Sequence, residues 1–395
     1  MTKAFHTLNR RSLMLAGCAV SLVAVSGSAG AAAPQSGGKK VIVVILRGAM
    51  DGLSMLPKID DPNIHEYRAS LIDPKAVPLG GGFALHSGFA NLAEMYKAGQ
   101  AAFVPATAGP YRERSHFEAQ DLLESGSVRS VTSDGWLNRA LQRAPAAYSA
   151  VSIGPVQPLI VRGKAQVASW SPSILPEASD DTLNRLMELY DKDTMLKASL
   201  VEALGAEKVA GKPDAANMSS MAGGGRSGPG QYVPMLQAAG KFLSQPDGPE
   251  IAVVSLDGWD THAGQNQSLQ QRFVQFDAGL KALKDTMGEA WSKTALVAVS
   301  EFGRTVRVNG AQGTDHGTAG AVMLAGGAIR GGRMFGDWPT LKPAALFENR
   351  DLAPANDARA VFKGILREQL GWEQADLDGP VFPDSSAVRA MPGLA

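Results

Sequence analysis

Five short apolar runs recur along the chain without alternating polar positions. They are VIVVIL (41–46), AAFVPA (101–106), IAVVSL (251–256), ALVAVS (295–300) and AVMLAGG (321–327). A strand with one face in water alternates polar and apolar residues, whereas a strand covered on both faces is apolar throughout. The pattern therefore predicts strands of a mainly parallel sheet that is buried between helices.

Helical periodicity separates several of these runs. The clearest apolar stripe has spacings of three and four residues, at Leu269, Phe273, Phe276, Leu280, Leu283 and Met287. It lies between the runs at 251 and 295, which makes a strand–helix–strand unit, and residues 89–99 predict a helix that leads into the run at 101. The predicted fold class is thus α/β, a three-layer helix–sheet–helix sandwich.

The length of 395 residues and the 45% hydrophobic content allow one large core. We expect a single α/β domain over 39–395, with a subdomain or cap near 146–206. Residues 207–231 are rich in Gly, Ala, Ser and Pro and show no apolar period. Such a composition predicts a flexible insertion.

Residues 1–33 have the pattern of an export signal. An arginine pair within NRRSLM (9–14) precedes a moderately apolar stretch, and small residues form A-x-A cleavage patterns at 29–31 and 31–33. The arginine pair is similar to a twin-arginine signal, a route that exports folded proteins. We therefore expect a periplasmic or secreted protein.

Cys18 lies inside this signal and is the only cysteine of the chain. LAGC (15–18) also resembles a lipoprotein box, but only about six residues separate it from the arginines, fewer than the usual apolar region. Lipidation is therefore the alternative to simple cleavage. Since the cleaved chain has no cysteine, it has no disulfide, and any metal ion has to be held by histidine and carboxylate side chains.

Charge argues against nucleic-acid binding, and hydropathy argues against a membrane span after the signal. Lys plus Arg and Asp plus Glu both number 38, so the chain lacks the basic surplus of a nucleic-acid-binding protein. No run of 18 apolar residues follows the signal, so no internal membrane span is expected.

Polar side chains collect beyond four of the apolar runs and just before the fifth, at 321. Ligands of open α/β sheets bind at the carboxyl ends of the strands, so these side chains are predicted to share one edge. In chain order they are Asp51, Arg114, Ser115, His116, Asp257, Asp260, His262, Glu301, Arg304, Asp315 and His316. Histidine, aspartate and glutamate suit Zn, Mn, Mg or Ca. Each aspartate alone is also a common helix N-cap.

Ser115 has two interpretations. In RSHFEAQD it precedes a helix, and Glu118 follows three residues later, which is the capping-box pattern. Alternatively, Ser115 is a nucleophile at a helix N-terminus that attracts an anion, with Arg114 nearby to hold an oxyanion. The two differ in the direction of the hydroxyl, because a capping hydroxyl turns toward its own helix.

Six segments together resemble the DUF1501 family. They are LRGAMDGLS, RSHFEAQDLLESG, GWLNRAL, LDGWDTHAGQ, SEFGRT and GTDHGTAG, in that order behind the twin-arginine signal. The resemblance covers nearly the whole mature chain. It implies a relation to the alkaline phosphatase superfamily, which includes phosphatases, sulfatases and cofactor-independent phosphoglycerate mutases. Those enzymes use a Ser, Thr or modified Cys nucleophile supported by metal ions.

By resemblance to the mutases, Ser115 matches the nucleophile and Asp51 an early metal ligand. Asp257 or Asp260 with His262 and His316 matches one metal site, and Glu301 matches part of a second. Phe302 stands where the relatives have a metal-binding histidine. The resemblance therefore favours one metal site over two, unless Asp315 replaces the missing ligand.

Two functions of different classes remain open at this point. The first is an exported metal-dependent hydrolase that acts on a small anionic phosphate or sulfate ester or an envelope component. There Ser115 attacks, His116 belongs to the catalytic group, and Arg304 or Arg114 grips the non-bridging oxygens. The second is a non-catalytic binding or assembly protein, in which Glu301 and Arg304 form an ion pair. A carbohydrate enzyme that uses Asp51, Asp257 and Glu301 is a third option.

Overall fold

The computed structural model describes residues 38–128, 132–173, 178–211 and 228–395. The predicted signal at 1–33 lies outside them, as does most of the predicted insertion at 207–231. Of the insertion, residues 207–210 are the end of a helix, and 229–231 form one short helical turn.

Eleven strands lie in the described part of the chain. They are β1 Lys40–Leu46, β2 Val77–Gly80, β3 Phe83–Leu85, β4 Ala101–Ala108, β5 Ala150–Ile153, β6 Ala168–Trp170, β7 Ile251–Leu256, β8 Thr294–Val299, β9 Gly320–Ala325, β10 Arg333–Met334 and β11 Asn356–Asp357. All five strands predicted from apolar runs are present, at β1, β4, β7, β8 and β9, and their bounds differ from the prediction by at most two residues.

The central sheet has the strand order β10-β4-β9-β8-β1-β7-β5-β6, and β11 also pairs with β4. β1 lies between β7 and β8 and is parallel to both, with Val41 opposite Ile251 and Ala295. β9 is antiparallel to β8 and β4, while the other pairings of this sheet are parallel. β2 and β3 form a separate antiparallel pair.

Helices cover both faces of this sheet. They are α1 Gly52–Met55, α2 Pro62–Arg68, α3 Ala90–Lys97, α4 His116–Ser125, α5 Trp136–Gln142, α6 Asp180–Leu189, α7 Thr194–Ala210, α8 Tyr232–Leu243, α9 Gln265–Met287, α10 Ala358–Ile365 and α11 Gln374–Asp376. The fold class is therefore the predicted three-layer α/β sandwich with a mainly parallel sheet.

Alternate residues of β1 point into two cores. Ile42 and Val44 pack with α3, α8 and α9, whereas Val41 and Val43 pack with α5, α10 and the C-terminal segment. A strand that is apolar at every position is needed for this arrangement, because neither face meets water. The stripe predicted for α9 is buried along its whole length.

Residues 146–206, predicted as a subdomain or cap, contribute in part to the main sheet. β5 pairs with β7 and β6 pairs with β5, so both strands extend the central sheet at one edge. α6 and α7 follow, and α7 contacts α8 and β6. No helix among the described residues is long and apolar enough to cross a bilayer.

Truncation of one buried α9 side chain tests the packing of this layer. Leu280→Ala removes a side chain with 0% exposure, so the free energy of unfolding should fall by about 2–5 kcal/mol through lost transfer energy and a cavity. Val274→Ala on the same helix, at 43% exposure, is the matched control and should cost much less. Urea denaturation measures both, and equal losses would contradict the assignment of the buried face.

Candidate active site

The sheet topology brings the predicted polar segments to one edge. β1, β4, β7 and β8 run in the same direction, so the residues that follow them emerge together. β9 runs in the opposite direction, so the residues before it arrive at the same edge. This explains why Asp315 and His316 precede their strand, whereas the other predicted site residues follow theirs.

Three histidines and one aspartate converge there; we call them the His–Asp cluster: His116, Asp260, His262 and His316. His316 Nε2 lies 3.0 Å from both His116 Nε2 and His262 Nε2. Asp260 Oδ1 lies 3.0 Å from His262 Nε2 and 3.4 Å from His316 Nε2. Asp260 Oδ2 lies 3.5 Å from His116 Nε2. His316 Nε2 and the nearer Asp260 oxygen thus each lie within 3.5 Å of both His116 Nε2 and His262 Nε2.

Hydrogen bonds at the far side of two rings fix their tautomers. His316 Nδ1 donates to the carbonyl of Arg114 at 3.1 Å, and His116 Nδ1 donates to the Glu301 carboxylate at 2.7 Å. The Nε2 atoms of neutral His116 and His316 therefore both carry lone pairs. Two lone pairs 3.0 Å apart repel each other unless a proton or a cation lies between them.

The spacing of the cluster fits a divalent metal ion. Zinc–nitrogen and zinc–oxygen bonds of about 2.0–2.1 Å in a tetrahedron place the ligand atoms about 3.3 Å apart. Five of the six separations between these side chains, taken to the nearer Asp260 oxygen, lie between 3.0 and 3.5 Å. Among the described residues, His116, Asp260 and His316 each offer one ligand atom, and these three atoms lie within 4.8 Å of one another.

Glu301 supports His116 from a buried position. Its Oε1 accepts from the Gly48 N–H at 2.9 Å and the Gln120 amide at 3.1 Å, and Oε2 accepts from the Ser300 hydroxyl at 2.9 Å. Burial raises the pKa of Glu301, but the bonds from His116 and Gln120 outweigh it, so the pKa lies below its ordinary value. The carboxylate is therefore charged and holds the imidazole in place.

The neighbouring imidazoles of His116 and His316, which meet edge to face, have opposite pKa shifts. The hydrogen bond to Glu301 raises the pKa of His116, and burial opposes this only in part. Burial and the neighbouring His116 charge lower the pKa of His316. The pair is thus arranged so that at most one ring readily takes a proton.

Arg304 is buried and donates a hydrogen bond to Asp260 of the cluster. Its guanidinium donates to Asp260 and to the carbonyls of Gly48, Ala49 and Thr314. None of its side chain is exposed, so it faces neither solvent nor an open pocket. Burial raises the pKa of Asp260, and the charge and hydrogen bond of Arg304 lower it below the ordinary value.

Arg114 is also engaged in internal pairs. Its Nε donates to Asp351 at 2.9 Å, and Nη2 bonds to Glu348. The backbone of Arg114 is left-handed, with φ of 64°, and this turns its carbonyl toward His316. The residue thereby positions the cluster through its main chain.

Ser115 is the N-cap residue of α4, but its hydroxyl makes no capping bond. Its N–H donates to the Tyr111 hydroxyl at 3.2 Å, and that hydroxyl donates to Glu118. Glu118 is therefore occupied elsewhere, and the reciprocal capping box does not form. The half-buried Ser115 lies next to the cluster residue His116 with a hydroxyl that its own helix does not use.

Besides Glu301, three predicted metal ligands lie outside the convergence point. Asp51 caps α1 and is fully buried, where its carboxylate accepts from Arg68, Ser54 and Gln265. The Asp257 carbonyl accepts from the Tyr232 hydroxyl, beside a small cavity.

The third, Asp315, is exposed and lies 3.4 Å from His262 Nδ1. Its other contact is the Asn309 amide at 3.1 Å. The carboxylate therefore lies behind the imidazole rather than among the converging Nε2 atoms.

Phe302, the residue in place of an expected histidine, packs against two cluster rings. Its ring centroid is 4.9 Å from that of His116 and 5.2 Å from that of His316. Ala49 and Ala119 complete this small apolar patch. Sequence reasoning assigned Phe302 no role and missed Gln120 altogether, because both act only through contacts between distant segments.

The chain belongs to the family described as protein of unknown function DUF1501, whose model matches residues 90–379. A search of curated proteins finds no match for the sequence.

Among solved structures, the chain is similar to alkaline phosphatase from the Antarctic bacterium TAB5. The identity is 12%, the TM-score is 0.38, and the match covers 75% of this chain and 93% of that one. The zinc complex of the C-terminal periplasmic domain of EptC from Escherichia coli matches at 10% identity and TM-score 0.39, over 74% of each chain.

The lipoteichoic acid synthase LtaP from Listeria monocytogenes matches at 8% identity and TM-score 0.36, over 89% of this chain and 76% of that one. At these scores the similarities carry no information on activity, which has to be argued from the residues of the site.

Asp51 and Arg68 form a buried ion pair whose loss should be measurable. Burial raises the pKa of Asp51, but Arg68 and Gln265 outweigh it and lower the pKa. A lowered folded pKa stabilises the protein above the unfolded pKa of about 3.9, and this stability is lost as the pH falls through the folded value. Asp51→Asn should cost about 3–5 kcal/mol at pH 7, since it leaves Arg68 buried without its counter-charge.

Urea unfolding at pH 7 and at about pH 3 measures this effect, because protonation removes the contribution of Asp51 only below the unfolded pKa. The difference between wild type and Asp51→Asn should shrink at the lower pH. Asp60→Asn, which removes an exposed carboxylate nearby, is the control and should change stability by less than about 1 kcal/mol. A variant of Asp51 that is as stable as wild type at pH 7 would refute the role of the pair.

Proposed function

We propose that the His–Asp cluster binds one divalent metal ion, with zinc as the best fit. The observation that carries this proposal is the 3.0 Å contact between the Nε2 atoms of His116 and His316, whose Nδ1 hydrogens are already committed. A cation between the rings turns this repulsion into coordination. His116, Asp260 and His316 would be the firmest ligands, and His262 the fourth.

Two predicted ligands take the supporting position in this proposal. Glu301 orients His116, and Asp315 lies behind His262, as carboxylates commonly do behind metal-bound imidazoles. Asp51 would stabilise the fold through Arg68 instead of binding the ion. His116, expected in the catalytic group, would be a metal ligand.

We further propose that the protein hydrolyses phosphate or sulfate esters with Ser115 as the nucleophile. The bound ion would polarise the ester and lower the pKa of the attacking hydroxyl. The Ser115 Oγ would form a bond to phosphorus or sulfur while the bond to the ester oxygen breaks and the alcohol leaves. Water would then release the inorganic acid and restore the serine. The Ser115 hydroxyl, which precedes His116 in the chain and does not cap its own helix, supports this assignment.

Arg350 is a better partner for the non-bridging oxygens than Arg304 or Arg114. It donates to the carbonyl of His316 at 2.9 Å and keeps 39% of its side chain exposed. Arg304 is fully buried, and Arg114 is paired with two carboxylates. Arg350, by contrast, has a single, longer ion pair among the residues that the structure describes, with Asp351 at 3.3 Å. The substrate would be a small anionic ester or an envelope component, met outside the cytoplasm after export by the twin-arginine route.

A non-catalytic, metal-stabilised binding or assembly protein is the second candidate. Structural zinc sites have four protein ligands, whereas catalytic sites keep one position open. The cluster offers four groups, which favours a closed site if His262 stays bound. His262 is, however, the most exposed of the three histidines at 45%, and its Nδ1 contact of 3.4 Å is the longest. This makes it the ligand most easily exchanged for substrate.

Metal analysis of the exported protein tests the centre. We expect about one equivalent of zinc or another divalent ion per chain. His116→Ala and His316→Ala should each lower the content below about 0.1 equivalent, because only two of the three firmest ligands then remain. Mass spectrometry measures the ion.

His65→Ala removes an exposed histidine away from the cluster and should leave the metal content unchanged. Circular dichroism has to show that the variants are folded. Folded wild-type protein with less than about 0.1 equivalent of every divalent ion would rule out the metal centre.

Ser115→Ala separates the two candidate functions. For a hydrolase, the rate on phosphate or sulfate monoesters in the presence of zinc should fall by at least about a thousandfold, while metal content and stability stay constant. Ser127→Ala is the control for a serine-to-alanine change elsewhere. If the metal-loaded wild type shows no esterase activity, the binding-protein hypothesis replaces the hydrolase. If Ser115→Ala leaves the activity intact, Ser115 is not the nucleophile.

A further inference from the structure

Arg359 has a buried nitrogen without a partner. Its Nε and Nη2 donate to the two oxygens of Asp357 at 3.0 and 2.7 Å, which is a bidentate pair at the start of α10. Nη1 is buried and bonds to no acceptor in the described part of the chain. The residue as a whole is only 8% exposed. A buried charged donor left without an acceptor is costly, so it points to a missing anionic partner.

A second guanidinium lies at the same place. β11 pairs with the end of β4, with Asp357 opposite Ala108, and Gly109 follows directly. The guanidinium of Arg112 donates to the carbonyl of Gly109 through Nη1. Its Nε and Nη2 have no acceptor within the described ranges. The two arginines are close enough for Arg359 to help lower the pKa of Arg112, although burial is the main cause.

Charge and space at this place both suit an anion. Arg359 pairs with Asp357, and Arg112 lies within electrostatic range of the same carboxylate, so arginine charge outweighs carboxylate charge among these three groups. A Cβ built on Gly109 would meet no atom within 4 Å, so the space beside the loop is open. Guanidinium groups bind phosphate and sulfate through paired, charge-assisted hydrogen bonds.

We propose that Arg112 and Arg359 form an anion subsite for a phosphate or sulfate group, separate from the His–Asp cluster. Arg112 precedes His116 by four residues, so their Cα atoms are at most about 14 Å apart. The group bound here is either a free inorganic anion or a second anionic group of a larger molecule. The subsite does not depend on the proposed metal ion or on Ser115.

Calorimetric titration of inorganic phosphate into the full-length exported protein tests the subsite. Arg359→Gln and Arg112→Gln should each raise the Kd for phosphate about tenfold, the effect of losing one charge-assisted hydrogen bond. Arg330→Gln removes the same formal charge from an exposed position and should change the Kd by less than about twofold. If Arg359→Gln does not fold, the phosphate Kd of Arg112→Gln is the test of the subsite.

His316→Ala distinguishes the subsite from the cluster, and it should retain phosphate binding. An unchanged Kd in Arg112→Gln and Arg359→Gln, or loss of binding in His316→Ala, would overturn the proposal. A parallel titration with phenyl phosphate identifies the source of the group. Comparable binding of the ester indicates an anionic group on a larger molecule, and binding of inorganic phosphate alone indicates a free anion; both support the subsite.

Discussion

One buried guanidinium holds the site together. Arg304 follows β8, yet it donates to carbonyls of Gly48 and Ala49 beyond β1, to Asp260 beyond β7 and to Thr314 ahead of β9. A buried charge is tolerated only when its partners are all in place, so the loops around it have little freedom. The positions of Asp260, His262 and His316 depend on this arrangement.

The sheet could be predicted because its cause is local in the sequence. Each central strand is apolar at every position since both of its faces are covered, and that pattern is visible without knowledge of its neighbours. The convergence of the polar segments followed from strand direction alone. The antiparallel direction of β9, which brings His316 to the same edge from ahead of its strand, was not predicted.

The roles inside the site were less accessible, because they depend on contacts between distant segments. Glu301 and His316 meet His116 from positions 185 and 200 residues away, and nothing local in the sequence distinguishes a ligand from the carboxylate behind it. Arg304 next to Glu301 suggested an ion pair, but the guanidinium bonds to Asp260 instead. Ser115 had a complete capping-box pattern, which Tyr111 disrupts by bonding to Glu118.

The distance in sequence between the cluster residues also constrains the order of assembly. Because His116 and His316 approach each other only across the finished sheet edge, an unfolded chain offers no preformed pair of imidazoles to an ion. Capture of a metal ion would therefore follow folding. A chain that crosses the membrane already folded, as its arginine pair predicts, would carry an ion chosen in the cytoplasm, whatever metals the outer compartment contains.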